Sequence, residues 1–365
     1  METAHNTLSR QQRKEWAREY YKGIENSLKA AYTPDFTGID EDGIRHDVRQ
    51  SLKHGFFSSM CSSTGITLPE RKKFVEIVCD EAGGRMLTGV NIAQPTLEES
   101  LELLAHAERV GCSHAFVSFP SKLKPESEDE VYRYYRQITD ATNLGIVLYA
   151  FNSAAIRPFH PSGISIDVFD RLADVPNVVA MKLTQPINPT VAFELCERLS
   201  DRILIGPASL DLVPILARHY RAQWSGQWIV EAVQSPEKPY AVEFMTCIND
   251  GRFDDALKVY WQLEPAYRLV HEIQAPLLVK GGHPWAHMRY FQWCVGGNGG
   301  LSRDTKHSKE QTAVLDAAGR QKIVDTYRRI GIEPVGGAED EFIVGRANYA
   351  KGIRRGDLPE LPLYA

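Results

Sequence analysis

From about residue 26 to residue 300 the chain alternates short apolar runs with longer stretches in which apolar residues recur every three or four positions. A short apolar run fits a strand buried on both faces and the wider spacing fits an amphipathic helix, so the alternation predicts βα units around a parallel sheet. The runs at 28–32, 56–60, 86–90, 114–118, 145–149, 178–182, 203–205 and 227–230 make eight predicted strands. The stretches 41–53, 69–82, 96–110, 127–141, 166–172, 189–199 and 210–219 are predicted helices, with Asp40, Thr96 and Ser127 as caps or first-turn residues. Eight strands with intervening helices predict an α/β fold, a (β/α)8 TIM barrel. A doubly wound open sheet gives a similar string, but no G-x-G-x-x-G follows the first predicted strand, which counts against a dinucleotide-binding sheet.

Residues 1–25 are predicted as an N-terminal helical extension and 26–250 as the barrel. Helical patterns at 253–270, 284–294 and 313–329 place additional C-terminal helices, within 251–334, on the barrel's flank. Residues 335–365 hold Gly336, Gly337, Gly345, Gly352, Gly356, Pro359 and Pro362 among charges, and are predicted as an extended tail. Such a tail more often wraps a partner subunit or its own surface than carries chemistry.

A hydrophobic fraction of 43% and a charged fraction of 24% supply an ordinary globular core. The net charge of -5, from 47 acidic against 42 basic residues without a long one-sign block, argues against nucleic acid and anionic membrane and for a small-molecule partner. Residues 1–21 lack the apolar core of a signal peptide, and no stretch approaches a membrane span, so a cytoplasmic protein is expected. The cysteines, at 61, 79, 112, 196, 247 and 294, form no C-x-x-C pair, so neither a zinc ribbon nor a disulfide framework is expected. Cys61 falls in a candidate site segment, but no histidine is suitably placed to activate it.

In a barrel of this kind the active site lies at the C-terminal ends of the strands. Lys182 closes the run Val178-Val179-Ala180-Met181, where partial desolvation favours the neutral amine that attacks a carbonyl. Tyr149 closes Ile146-Val147-Leu148 one strand earlier and suits proton transfer. Taken alone, a lysine at a strand end does no more than reach to solvent.

The surrounding segments carry more. They are Ala31-Tyr32-Thr33-Pro34, Cys61-Ser62-Ser63-Thr64-Gly65, Glu70-Arg71-Lys72, Thr88-Gly89-Val90, Ala105-His106-Ala107-Glu108 with Gly111, the run ending in Tyr149, and Pro176-Asn177-Val178-Val179-Ala180-Met181-Lys182. In order and spacing, across roughly residues 28 to 334, they resemble the dihydrodipicolinate synthase and N-acetylneuraminate lyase family of class I aldolases. The resemblance implies that Lys182 forms a Schiff base with a 2-oxo acid, above all pyruvate, and that Tyr149 relays protons. It also implies that a turn of backbone N–H groups and hydroxyls holds the keto acid carboxylate. Ser62-Ser63-Thr64-Gly65-Ile66 is the counterpart here, with Ser63 and Thr64 giving hydroxyls and Ile66 where glutamate is usual. Counting back from Glu70-Arg71 selects 58–62 instead, at the cost of the strand. Phe119, Phe151, Asn152 and Gly206 complete the expected substrate-binding set.

The departures concern the second substrate. Family members that make dihydrodipicolinate carry an arginine five residues after the tyrosine, where this chain has Ala154, with Arg157 nearby but out of register. The segment expected to supply a neighbouring-subunit tyrosine reads Phe119-Pro120-Ser121-Lys122-Leu123-Lys124-Pro125. Tyr149-Ala150-Phe151-Asn152, with Phe159-His160-Pro161 beyond, looks closer to the hydratase-aldolase branch that cleaves arylidene pyruvates. Phe119, Phe151, Trp224 and Trp228 near strand ends would favour an apolar or aromatic aldehyde, although each alone fits a core position as well.

The expected activity is therefore a lyase or aldolase that adds pyruvate to an aldehyde or releases it, perhaps with coupled hydration. No metal or organic cofactor is expected, because the imine is itself the electron sink. Alternatives are a dehydratase of a 2-oxo sugar acid using the same imine, and a barrel that binds a 2-oxo acid without catalysis. The resemblance implies a homotetramer or homodimer. His283 and His287 have a helical zinc spacing but no accompanying carboxylate motif, and Gly296-Gly297-Asn298-Gly299-Gly300 lacks the Lys-Ser/Thr of a phosphate loop.

Overall fold

The computed structural model describes residues 7–63, 65–92, 94–120, 123–184, 188–280, 282–303 and 311–359. A short helix, α1 (Arg13–Tyr20), leads into β1 (Gly23–Leu28), α2 (Glu41–Lys53), β2 (Ser58–Cys61), α3 (Leu68–Ala82), β3 (Leu87–Ile92) and α4 (Leu97–Val110). Then come β4 (His114–Val117), α5 (Glu128–Asp140), β5 (Gly145–Ala150), α6 (Ile166–Leu172), β6 (Val178–Leu183), α7 (Pro189–Leu199), β7 (Leu204–Pro207), α8 (Val213–Ala217), β8 (Trp224–Gly226) and α9 (Tyr240–Asn249). Helices α10 (Phe253–Leu278), α11 (Trp285–Cys294), α12 (Ala317–Arg329), α13 (Glu339–Val344) and α14 (Arg346–Ala350) follow.

The eight strands described are parallel neighbours in the order β7-β6-β5-β4-β3-β2-β1-β8, a nearly closed (β/α)8 TIM barrel with C-terminal helices. The β7–β8 seam is held by the backbone N–H of Ile205, which donates to the carbonyl of Arg221 at 2.9 Å, and by Ser225 Oγ, which donates to the carbonyl of Pro207 at 2.5 Å. Side-chain caps mark the starts of several helices, while Asp40, expected to cap α2, makes no such bond there. Thr67 and Glu70 form a reciprocal capping box at α3, while Thr96, Ser127 and Asn188 accept backbone N–H bonds at α4, α5 and α7.

Two strands lie elsewhere than the hydrophobic pattern puts them. The first is not 28–32 but Gly23–Leu28, and the eighth is not 227–230 but Trp224–Gly226. The first strand escapes a hydrophobicity reading because Glu25, Asn26 and Ser27 are polar and yet buried. Glu25 accepts at Oε2 from Tyr21 Oη at 2.8 Å and at Oε1 from Ser58 Oγ at 2.8 Å, and His114 Nε2 lies 2.7 Å from the same Oε1. A buried carboxylate supplied with this many partners is tolerated where a lone one would cost several kcal/mol, of order 3–5. Gly89 makes room for the cluster, since a β-carbon there would stand 2.2 Å from His114 Nε2.

Inward-facing side chains stack along the barrel axis. Above the Glu25–His114 pair lies an apolar layer with Phe116, Val147, Met60 and Trp224, continuous with Trp16, Ala17 and Tyr21, which close the N-terminal end. Lys182 and Tyr149 stand above Phe116. The helix α9 completes the barrel and has no counterpart among the predicted helices, while α8 is shorter than the 210–219 predicted. The C-terminal stretch expected as an extended tail instead folds into α13 and α14 on the barrel's own surface. Phe342, Ile343 and Val344 are buried there, and Asn348 Nδ2 donates to the carbonyl of Tyr32 at 3.3 Å.

Candidate active site

Lys182 and Tyr149 are direct partners in the β5–β6 ladder. Both belong to the inward-facing set, because residues two apart on a strand share a face: Val147 and Ala180, two residues earlier, are part of the barrel's inner cluster. Lys182 is 3% exposed, so its amine is held inside the protein and does not reach to bulk water. Its Nζ lies 5.3 Å from the centroid of the Tyr149 ring and 5.7 Å from that of Phe116. A glycine shapes the space. The next strand pairs Gly206 with Lys182, and a β-carbon on Gly206 would stand 2.2 Å from Cε2 of Trp224, so the indole occupies the room that glycine leaves. Trp224 is thus the buried floor of the site, in edge contact with Tyr21 and Phe116, and not a wall of its mouth.

The turn after β2 is built on Ser62, Ser63 and Gly65, with Thr64 outside the described residues. Arg71 Nη2 donates to the carbonyl of Ser63 at 2.8 Å. Gly65 has φ +72, the left-handed region that glycine tolerates, and Ile66 is buried in the core. The turn is clamped from the far end of the chain. Arg303 donates to the carbonyl of Gly65 at 2.8 Å, to that of Phe36 at 2.9 Å and to Glu70 Oε2 at 2.6 Å, with its guanidinium 5.0 Å from the Tyr32 ring centroid. Paired to Arg303 and bonded by Thr67, the Glu70 carboxyl is held below its ordinary value despite the opposing effect of its partial burial.

On the other side of Tyr149 a small cleft is lined by Phe119, Tyr149, Phe151, Ile156 and Phe169, with Ser153 and Ser165 also in its mostly apolar wall. Both hydroxyl oxygens are buried without a hydrogen-bond partner. Phe151 is 5.6 Å from Tyr149 and Phe119 packs edge-on against Tyr134 at 5.2 Å. The remaining predicted residue of this loop, Asn152, accepts at Oδ1 from Arg157 Nε at 2.9 Å, so Arg157 is held within its own loop. Trp228 sits apart from these, in an aromatic group with His283 and Trp285.

Sequence reasoning missed a second group at the mouth: Lys29 at the end of β1 and Asn91 on β3, the latter in register with Phe116. Shifting the first strand by five residues hid Lys29 inside a supposed strand. The alternation Glu25, Ser27, Lys29 was the signal that could have found it.

A sequence profile of the dihydrodipicolinate synthetase family matches residues 23–205. The chain belongs to that family. Its relatives include a 4-hydroxy-tetrahydrodipicolinate synthase of Methanopyrus kandleri, 24% identical over 265 residues that cover 71% of this chain and 84% of the relative. Another, from Phenylobacterium zucineum, is 33% identical over 169 residues, 44% of this chain and 54% of the relative. Among solved structures, YagE, a prophage protein of the dihydrodipicolinic acid synthase family from E. coli in complex with pyruvate, superposes with a TM-score of 0.69 at 16% identity, covering 86% of this chain and 99% of its own. PhdJ bound to a substrate intermediate gives 0.66 at 17% identity, covering 85% and 96%. At these identities the structural likeness establishes the fold, while family membership points to pyruvate-dependent aldolase or lyase activity.

Proposed function

We propose that the protein is a class I lyase in which Lys182 condenses with pyruvate and the resulting enamine adds to an apolar or aromatic aldehyde, or is released from one. The observation that carries this reading is the pairing of a buried lysine with a tyrosine, side by side at the C-terminal ends of adjacent barrel strands. The neutral amine attacks C2 of the 2-oxo acid, and two proton transfers to the former carbonyl oxygen release it as water and leave a protonated imine. Loss of a C3 proton gives the enamine, which forms the new carbon–carbon bond, and water then frees the product and regenerates the amine. Tyr149 is the group placed to carry these protons at the reacting nitrogen and oxygen. The turn at Ser63, with Thr64, takes the carboxylate through N–H and hydroxyl donors. Phe119 and Phe151 line the adjoining cleft, which favours an aldehyde with an apolar or aromatic group over a polyhydroxylated sugar. Gly206 belongs to this site by giving Trp224 its place beneath the lysine.

Borohydride added with pyruvate is expected to fix a pyruvate-derived mass on Lys182, and Lys182→Ala is expected to abolish both adduct and turnover. Absence of the adduct, with Lys182→Ala fully active, overturns the reading. We propose further that the protein is a homodimer or homotetramer, a reading supported by exposed apolar side chains on α7, α8 and α10 at Phe193, Ile215 and Trp261. Light scattering at micromolar concentration tests it.

A further inference from the structure

Lys29 is 8% exposed and extends from the end of β1 on the side shared with Glu25 and Ser27. Its Nζ donates to the carbonyls of Ser27 at 2.8 Å and Trp228 at 2.9 Å, which leaves one of three N–H bonds without an acceptor. Neither acceptor is charged. A buried ammonium needs a counter-charge; Asp47 is committed to Arg289, and Glu231 acts on Lys29 without a hydrogen bond or ion pair to it among the described residues. Glu231 accepts from Asn26 Nδ2 at 3.3 Å, and Asp47 pairs with Arg289 at 3.2 Å and accepts from the backbone N–H of Asn298.

The charged groups that act on Lys29 are Glu231, Arg289, Lys182 and Asp47. With Lys182 as the iminium that the proposed reaction forms, these groups are three cations, Lys29, Lys182 and Arg289, against two carboxylates, Glu231 and Asp47. One positive charge is left over. Burial lowers the Lys29 ammonium to about 8, against the raising effect of Glu231, as expected of a cation short of a partner. A hydroxyl two residues earlier is also unmatched: Ser27 Oγ, which can donate to an anion, is buried without a hydrogen-bond partner among the described residues. The turn that carries Ser63 is the immediate neighbour, since the backbone N–H of Ser62 donates to the carbonyl of Leu28 at 2.9 Å.

We infer that Lys29 is a substrate-binding residue, whose ammonium takes the carboxylate of the 2-oxo acid from the β1 side while the Ser63 turn takes it from the β2 side. One carboxylate brings the cluster to neutrality and supplies the missing acceptor. The inference rests on the site proposed for Lys182 and adds a specificity to it: an uncharged carbonyl compound would leave Lys29 buried and unmatched.

The test compares wild type with Lys29→Met, which keeps the aliphatic stem, and with Lys29→Gln should the first variant fold poorly. Pyruvate and 2-oxoglutarate are titrated by calorimetry and, in parallel, by borohydride trapping at Lys182, with thermal melting as the folding control. The half-saturating concentration is expected to rise about tenfold or more in the variant, as for loss of a charge-assisted hydrogen bond, with trapping retained at saturation. An equal rise for both probes assigns Lys29 to the carboxylate next to the ketone. A rise confined to 2-oxoglutarate supports a carboxylate site and moves it to the distal group. Unchanged half-saturation for both, or no pyruvate binding by the wild type, overturns the inference. Calorimetric binding that weakens in the variant without any adduct in the wild type leaves the Lys29 site standing and sinks the imine.

Discussion

Gly226 on β8 faces the stem of Lys182: a β-carbon there would stand 3.2 Å from Cδ, 3.3 Å from Cε and 2.9 Å from Cζ3 of Trp224. Glycine at this position therefore sets where the amine stands. Gly226→Ala is expected to push the flexible stem aside and slow borohydride-trapped imine formation by about 100-fold, the scale of a reacting group misplaced by an ångström. Gly206→Ala meets the same indole far more closely, at 2.2 Å against 2.9 Å, and touches no part of the lysine stem, so it is expected chiefly to destabilise the fold by about 1–3 kcal/mol, as overpacking does. Trapping rates and urea midpoints, measured on both variants, separate the two effects. A Gly226→Ala protein that traps pyruvate at the wild-type rate would remove the lysine-positioning role.

Tyr149→Phe keeps the ring beside Lys182 and removes only the phenol. Turnover is expected to fall by about 10²–10³, the usual worth of a positioned acid or base, while prolonged incubation with pyruvate and borohydride still labels Lys182. Wild-type turnover would assign the proton transfers to another group.

Among the described residues Arg303 meets the turn proposed to hold the carboxylate through Gly65 and Glu70, so its role there is positioning. Arg303→Met is expected to raise KM for the 2-oxo acid by about three- to tenfold with kcat little changed, because ground state and transition state lose the same held carboxylate. A fall in kcat with constant KM would contradict this. Fluorescence-detected melting controls for loss of the Glu70 ion pair, which is partly exposed.

Acid should destabilise the protein through buried neutral histidines. Burial lowers His54 to about 3 and His287 to about 4 from the ordinary 6.5. Below pH 6.5 the unfolded chain takes up protons that the folded one refuses, so stability falls with pH, by roughly 1.4 kcal/mol per unit for each histidine, down to the folded values. Asp47 and Glu231, whose carboxyls burial raises, act in the opposite sense near and above pH 4. Urea midpoints between pH 7 and pH 5 should decline, and His54→Gln should flatten the slope. A midpoint that rises on acidification in this window would count against the assignment.

The barrel was legible because six of its strands are apolar runs of the kind that parallel strands require, and α2, α6 and α7 begin and end where their apolar spacing does. β1 was not, because Glu25 and Asn26 read as surface residues until Tyr21, Ser58, Ser59 and His114 are brought around them by the closed sheet. The same rule governs the site. Lys182 and Tyr149 end apolar runs and could be named from the sequence, whereas Lys29 and Arg303 owe their places to residues more than a hundred positions away, and Gly226 owes its place to the stem of Lys182 on another strand. Trp224 reads equally as wall or core, and only the empty side of Gly206 decides for core.

Arg303 reaches a turn formed 238 positions earlier in the chain. During synthesis, the strands that carry Tyr149 and Lys182 leave the ribosome long before the residue that steadies the Ser63 turn. On the proposed mechanism, a nascent chain thus holds its amine well ahead of its full grip on the carboxylate, and gains that grip only as the segment that carries Arg303 folds back over the barrel.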